Sequence, residues 1–199
     1  MVELSDVEIV TEPCRLAFPA LFAPKPTMKG GTDLKYQATL LLPPDYDMTG
    51  LVECVKAAMV KKFGKVIKLV GKNNPLRKVD DLDEDSRATG YEEGWRFINA
   101  KSGYQPSVLD QKKQEVLDEK KVYPGMWCRF HLSAFGWEHA QGGKGVSFSV
   151  NAVQLVRDDT RLDGRKSSKD VFGEIESDDL GGLAGAPEGG SEDTDDLLG

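Results

Sequence analysis

The chain has 199 residues, with 33 Asp and Glu against 26 Lys and Arg, and a formal net charge of −7. Hydrophobic residues make up 39%, enough for one domain with a real core, and no apolar run approaches the roughly 18 residues of a membrane span, which argues against a membrane protein. The average charge hides an asymmetry. Nine of the 33 acids lie in residues 174–199, which hold no Lys or Arg, so residues 1–173 keep 24 acids against all 26 bases. An acidic chain looks like a poor polyanion binder; the slightly basic body does not.

The start, Met1-Val2-Glu3-Leu4-Ser5-Asp6, has neither the basic nor the apolar region of a secretory signal, and the three cysteines are odd in number and far apart. Free thiols in a reducing cytoplasm are expected. Cys14 to Phe18 reads as a short strand that Pro19, Pro24 and Pro26 prevent from continuing. Thr27 to Asp33 is a turn around Gly30-Gly31, and Lys35 to Leu42 is a strand stopped by Pro43-Pro44. The period then changes. Leu51, Val52, Val55, Ala58, Met59 and Phe63 recur at helical spacing, with Asp47 or Thr49 as N-cap and Gly64 as the stop. Lys56, Lys61 and Lys62 occupy the other side, and Lys65, Lys68 and Lys72 follow.

Residues 72–94 read as a charged loop, unusually long for a compact domain. A short helix or a lid over a ligand would account for it. Trp95 to Ala100 is the next strand, with Trp95 and Phe97 on one face and Ile98 on the other, and Ser107-Val108-Leu109 is expected to pair near it. Gln111 to Lys121 is polar, with room for one helical turn. Tyr123-Pro124-Gly125 is a turn. Two long strands, Met126–His139 and Lys144–Arg157, flank Gln141-Gly142-Gly143 and form a strong hairpin signal. Five or so strands with one or two inserted helices predict a mainly β fold, a small barrel in one domain spanning 1–173. Residues 174–199, rich in Gly and acid, cannot bury enough apolar surface to order themselves and are expected to be a disordered tail. Its end, Asp193-Thr194-Asp195-Asp196-Leu197-Leu198, joins acids to two aliphatics, a combination suited to docking in a basic-rimmed apolar pocket on another protein.

The strand after Gly125 carries the most chemistry. One face, Met126, Cys128, Phe130, Leu132 and Ala134, is plain core. The other is Trp127, Arg129, His131, Ser133, Phe135 and Trp137, where a solvent face would be Lys, Glu, Thr and Ser. Aromatic rings stack on bases at about 1–3 kcal/mol each and cations meet phosphates, without reading sequence. A bulge would instead turn Phe135 and Trp137 into core. Trp95, Arg96, Lys101, Tyr91 and Tyr104 are further candidates. Cys128 and His131, three apart on a strand, point to opposite faces and cannot share a metal. Asp80 to Asp85 is an acidic run with no element to fix a Mg²⁺ site, and a solvated loop is the expected reading. No cofactor, metal or catalytic motif emerges.

Several motifs, in order and spacing together, resemble one family. They are Cys14-Arg15-Leu16-Ala17-Phe18-Pro19-x-Leu21-Phe22, Lys35-Tyr36, Phe97-Ile98-Asn99-Ala100, Pro106-x-Val108-x-Asp110, Tyr123-x-Gly125, Asn151-x-Val153-Gln154 and Phe172-Gly173. The chain is similar to the single-stranded DNA-binding proteins of tailed phages. The resemblance implies an OB-fold barrel, sequence-tolerant binding of single strands in the host bacterial cytoplasm, and an acidic tail contacting phage or host replication proteins. Tails of functionally similar phage proteins commonly end on an aromatic; here the end is Leu197-Leu198-Gly199. The expected function is therefore a non-enzymatic coat for single-stranded DNA in phage replication and recombination, with self-association possible. The competing readings are a strand-annealing recombination protein, a nuclease using Asp80 to Asp85, and a module whose aromatic face binds a peptide.

Overall fold

Residues 3–27 and 30–165 are described by a computed structural model. The Phe172-Gly173 motif, the acidic tail 174–199 and its tip Asp193 to Leu198 lie outside the described residues. The strands in chain order are β1 (Glu8–Val10), β2 (Cys14–Pro26), β3 (Leu34–Leu42), β4 (Arg77–Lys78), β5 (Arg96–Ser102), β6 (Ser107–Leu109), β7 (Trp127–His139) and β8 (Gly143–Arg157). Among the described residues one α-helix, α1 (Thr49–Phe63), lies between β3 and β5.

Five strands make a ring. β2 pairs β3, β3 pairs β5, β5 pairs β8, β8 pairs β7, and β7 returns to β2. This is the partly open five-strand barrel that the resemblance implied. Its joints are uneven. The β7–β8 hairpin runs along both strands, from Trp127↔Arg157 to His139↔Gly143, whereas the parallel β5–β8 contact has one register pair, Ala100↔Phe148. β1 extends β7 on the outside through Glu8↔Ser133.

The ring encloses Leu16, Leu40, Ile98, Phe130, Leu132, Phe148 and Val150, all fully buried. Helix α1 closes one end with Leu51, Cys54, Val55, Ala58 and Met59 turned inward. Its start uses the Asp47 carboxylate, which accepts from the Thr49 N–H at 2.9 Å. It stops at Gly64, whose φ of 73° lets its N–H return to the Val60 carbonyl.

Three expectations need correction or sharpening. β2 does not end at Pro19 but runs to Pro26. Phe18, with φ of 46°, sits in a register shift that sets Ala17 opposite Thr39 and Ala20 opposite Gln37. That bulge absorbs Pro19, and beyond it β2 pairs only with β3, so Pro24 and Pro26 have an open side. Second, the pairing of β6 expected near β5 is with β8, in parallel, one strand away from β5. Third, residues 72–94 are not a bare loop. They hold 3₁₀ turns at Gly71–Asn73, Val79–Asp81 and Glu84–Ser86 as well as β4, which pairs β5. The segment folds over the outside of β2, β3 and β5. There Val79 joins Ala17, Leu41 and Phe97 in a second apolar cluster, flanked by Leu82, Tyr91 and Trp95. Asp80 holds it down by accepting from the Gly94 N–H at 3.0 Å.

At the hairpin tip Trp137 lies across the strand pair on Gly145, its register partner, and its indole N–H donates to Ser147 Oγ at 2.9 Å. A Cβ at Gly145 would collide with the indole. Gly145→Ala is therefore expected to lower stability by about 1–3 kcal/mol through overpacking, read as a lower urea midpoint at unchanged slope. An unchanged midpoint would mean that Trp137 does not rest on Gly145.

Candidate nucleic-acid interface

Alternation along β3 and β5 divides their side chains between core and surface. Ala38, Leu40 and Leu42 point inward with Ile98 and Ala100. Lys35, Gln37, Thr39 and Leu41, with Phe97, Asn99 and Lys101, point outward. The 77–95 segment covers one end of this outer face and leaves the other open. Where it is open, a groove of about 620 Å³ follows the seam between β5 and β8. Lys35, Lys72, Arg77 and Lys101 line it, with Asp33 as the one acid among the described residues, and Tyr104 and Phe135 add rings. Ser147 and Ser149 of β8 contribute hydroxyls. Tyr104 is 87% exposed and Phe135 47%.

A smaller hollow of about 240 Å³ continues from Asn99 and Lys101 to Phe18 and Tyr91. Phe18 is the bulge residue of β2. A bulky side chain at positive φ is strained, and here the backbone turn leaves its ring half-exposed, 6.3 Å from the Tyr91 ring. Tyr91 packs against Phe97 at 5.1 Å, and burial pushes its phenol up from its ordinary value. Arg77 lies 4.6 Å over the Phe97 ring, which steadies its guanidinium at the groove wall.

The residues named from sequence separate into groups. Lys101, Tyr104 and Phe135 meet in the groove. Trp127, Arg129 and His131 share the strand face read from sequence, each partly exposed, but residues 8–11 and the 158–161 segment engage them. The Trp127 indole N–H donates to Asp159 Oδ2 at 2.6 Å, and the Arg157 guanidinium sits 4.4 Å over its ring. The Trp127 N–H, then the Thr160 N–H and the nearby Arg15 and Arg157, hold the Asp159 carboxyl below the usual range. Arg129 donates to the Thr11 carbonyl at 3.1 Å, and His131 Nε2 faces Glu8 Oε1 at 3.4 Å. Trp137 packs at the hairpin tip, and Trp95 packs on the second apolar cluster. Arg96 opens β5 opposite Leu42 and Lys78. Cys128 is buried while His131 faces outward, so the two do not share a site. The sequence reading missed Phe18, Lys35, Lys72 and Arg77. For Lys35 the signal was present, since Lys35, Gln37 and Thr39 alternate with an apolar set. Phe18 carried none, because its bulge depends on the partner strand.

A partly open five-strand barrel with a basic, aromatic groove across its outer strands defines a nucleic-acid-binding architecture. The chain belongs to the family of the Enterobacter phage Enc34 ssDNA-binding protein, whose family model matches residues 7–181. Among curated proteins, putative protein p50 of Acyrthosiphon pisum secondary endosymbiont phage 1 is 29% identical over 175 residues, covering 81% of this chain and 90% of that one. Among solved structures, the single-stranded DNA-binding protein of bacteriophage Enc34 in complex with ssDNA superposes with a TM-score of 0.67 at 21% identity. That match covers 78% of this chain and 89% of the other. The gp2.5 single-stranded DNA binding protein of bacteriophage T7 superposes with a TM-score of 0.52 at 14% identity, over 84% and 98% of the two chains. These likenesses establish the fold. Among the described residues, no helix is long and apolar enough to cross a membrane.

The environment of Trp127 predicts a structural contribution. Trp127→Ala removes the ring beneath Arg157 and the N–H that Asp159 accepts. It should cost about 2–3 kcal/mol of stability, read from urea unfolding. Full stability with weakened binding would instead make Trp127 a contact for ligand.

Proposed function

We propose that this protein binds single-stranded DNA without sequence preference, its strand lying along the groove between β5 and β8. The observation that carries this reading is the coincidence of four cations with two open rings in one groove of the outer face. Cations neutralise phosphates and release counterions, and rings offer stacking surface to any base. Phe18 and Tyr91 extend the stacking surface past Lys101. Membership in a family described by an ssDNA-binding phage protein, and a relative solved with ssDNA, support it. The role is that of a non-enzymatic coat for exposed strands during phage DNA replication and recombination in the host cytoplasm. Bases paired in a duplex cannot reach the rings, so single strands are preferred over duplex.

Phe135→Ala and Tyr104→Ala should each weaken binding of an oligothymidylate by about 1–3 kcal/mol. The melting temperature of Tyr104→Ala should not move, since that ring is almost wholly exposed. Lys101→Ala should flatten the dependence of log affinity on log salt by about 0.7, one phosphate's share. Fluorescence anisotropy at several salt concentrations reads both. Unchanged affinity in all three variants would remove the strand from this groove.

In this reading residues 174–199 compete with DNA. Nine tethered carboxylates are held at high local concentration near the basic body and occupy cations that would otherwise meet phosphates. Asp193, Asp195, Asp196, Leu197 and Leu198 form the tip that engages phage or host replication proteins. Removing 174–199 should tighten single-strand binding most at low salt. The gain should fade towards 0.5 M, where the Debye length is about 4 Å. Equal affinity of the two forms at every salt concentration would leave the segment only a partner-docking or solubilising arm.

A further inference from the structure

From Cys54 to Val79 the chain has seven Lys, one Arg and no acid. Two lysines in the last turn of α1, Lys61 and Lys62, are explained by the negative end of the helix dipole. Lys65, Lys68 and Lys72 lie beyond the helix, where that explanation stops. Ile67 and Leu69 pin this stretch to the core, and the lysines between and around them are exposed. None of the five forms an ion pair among the described residues. So many uncompensated like charges repel one another and weaken the fold unless a polyanion covers them.

The position of this surface says which polyanion. Lys72 belongs both to the lysine run and to the groove wall. Its neighbour Asn73 donates to the Gly142 carbonyl at 3.0 Å, which ties the run to the hairpin tip. On the other side of the tip, Lys62 packs against Gly136, the residue after Phe135 of the groove, and the Lys144 ammonium lies 5.3 Å from the Phe63 ring centre. One continuous basic surface therefore leads out of the groove, past Lys72 and the hairpin tip, to the end of α1. No aromatic residue is largely exposed along it, so it offers charge without stacking.

We propose that the surface formed by Lys62, Lys65 and Lys68 is a second segment of the single-strand path, contacting the sugar-phosphate backbone alone. It rests on the groove reading and extends it: the groove holds bases by stacking, and the lysine surface holds the strand that leaves it. A strand short enough to fill only the groove does not reach these lysines. The occupied length thus exceeds the groove, within the roughly 4–16 nucleotides that one barrel of this kind covers.

The test uses the full chain with Lys62→Gln, Lys65→Gln and Lys68→Gln combined, all exposed positions. Oligothymidylates of about 6 and about 20 nucleotides, one near the low end of that range and one beyond it, are titrated from about 50 to about 300 mM salt. The proposal expects unchanged affinity for the short strand. For the long strand it expects several-fold weaker binding at low salt and a slope reduced by about two units, three phosphates at about 0.7 each. Equal affinity and slope for the long strand in the two proteins would overturn it, as would an equal loss on both lengths. A peptide of residues 188–199 is titrated in parallel, because Val60, Val66 and Val70 are also exposed here and suit an acidic, leucine-ended ligand. Peptide binding that the triple variant loses, with long-strand binding intact, would assign the surface to a protein partner instead. The groove reading is judged separately, by Phe135→Ala on the short strand.

Discussion

The joint of the barrel with the fewest register pairs shapes its outer surface. β5 and β8 must run parallel to close the ring, and they meet at one register pair. Beyond Ala100 and Phe148 the strands part, and the groove lies in the opening. A barrel sealed evenly would bury this edge and leave nothing concave for a strand to enter. The β7–β8 hairpin, paired along its length, carries the other side of the seam, so Phe135, Ser147 and Ser149 sit on a wall held by strand pairing. The long ladder there and the short contact at β5–β8 together leave the groove open with one wall held by strand pairing.

The same outer face is partly sealed, and the sealing decides where the groove can open. Phe97 and Leu41 point away from the barrel core and would be exposed on a bare sheet. The 77–95 segment covers them with Val79, Leu82, Tyr91 and Trp95. Its cover ends at Tyr91, where polar Gln37, Asn99 and Lys101 begin. The division between cluster and groove is thus set by which outward residues of β3 and β5 are apolar. On the opposite side, residues 8–11 and 158–161 lie against Trp127, Arg129 and His131, and that half of β7 is tied into the fold.

Much of this was legible in the sequence. Period-two alternation identified β3, β5, β7 and β8, and the change to helical spacing located α1 and its Gly64 stop. Alternation along β7 also gave the correct inward set, Cys128, Phe130, Leu132 and Ala134. What alternation cannot say is what lies over the outward set. Trp127 and Phe135 have the same pattern, yet one is engaged by Asp159, far along the chain, and the other opens to the groove. The prolines of β2 misled because their cost depends on whether the strand has a neighbour on each side. Lys72 and Arg77 sat in a segment without periodicity, and only its folding back along β5 brings them to the groove.

The central claim is that a single strand lies on the β5–β8 seam rather than on the half of β7 around Trp127. Ultraviolet cross-linking of an oligothymidylate to the full chain, with the adducts located by mass spectrometry, tests it most directly. Adducts at Tyr104, Phe135 or Phe18 are the predicted result. Adducts confined to Trp127 and His131, with none on the seam, would contradict the account.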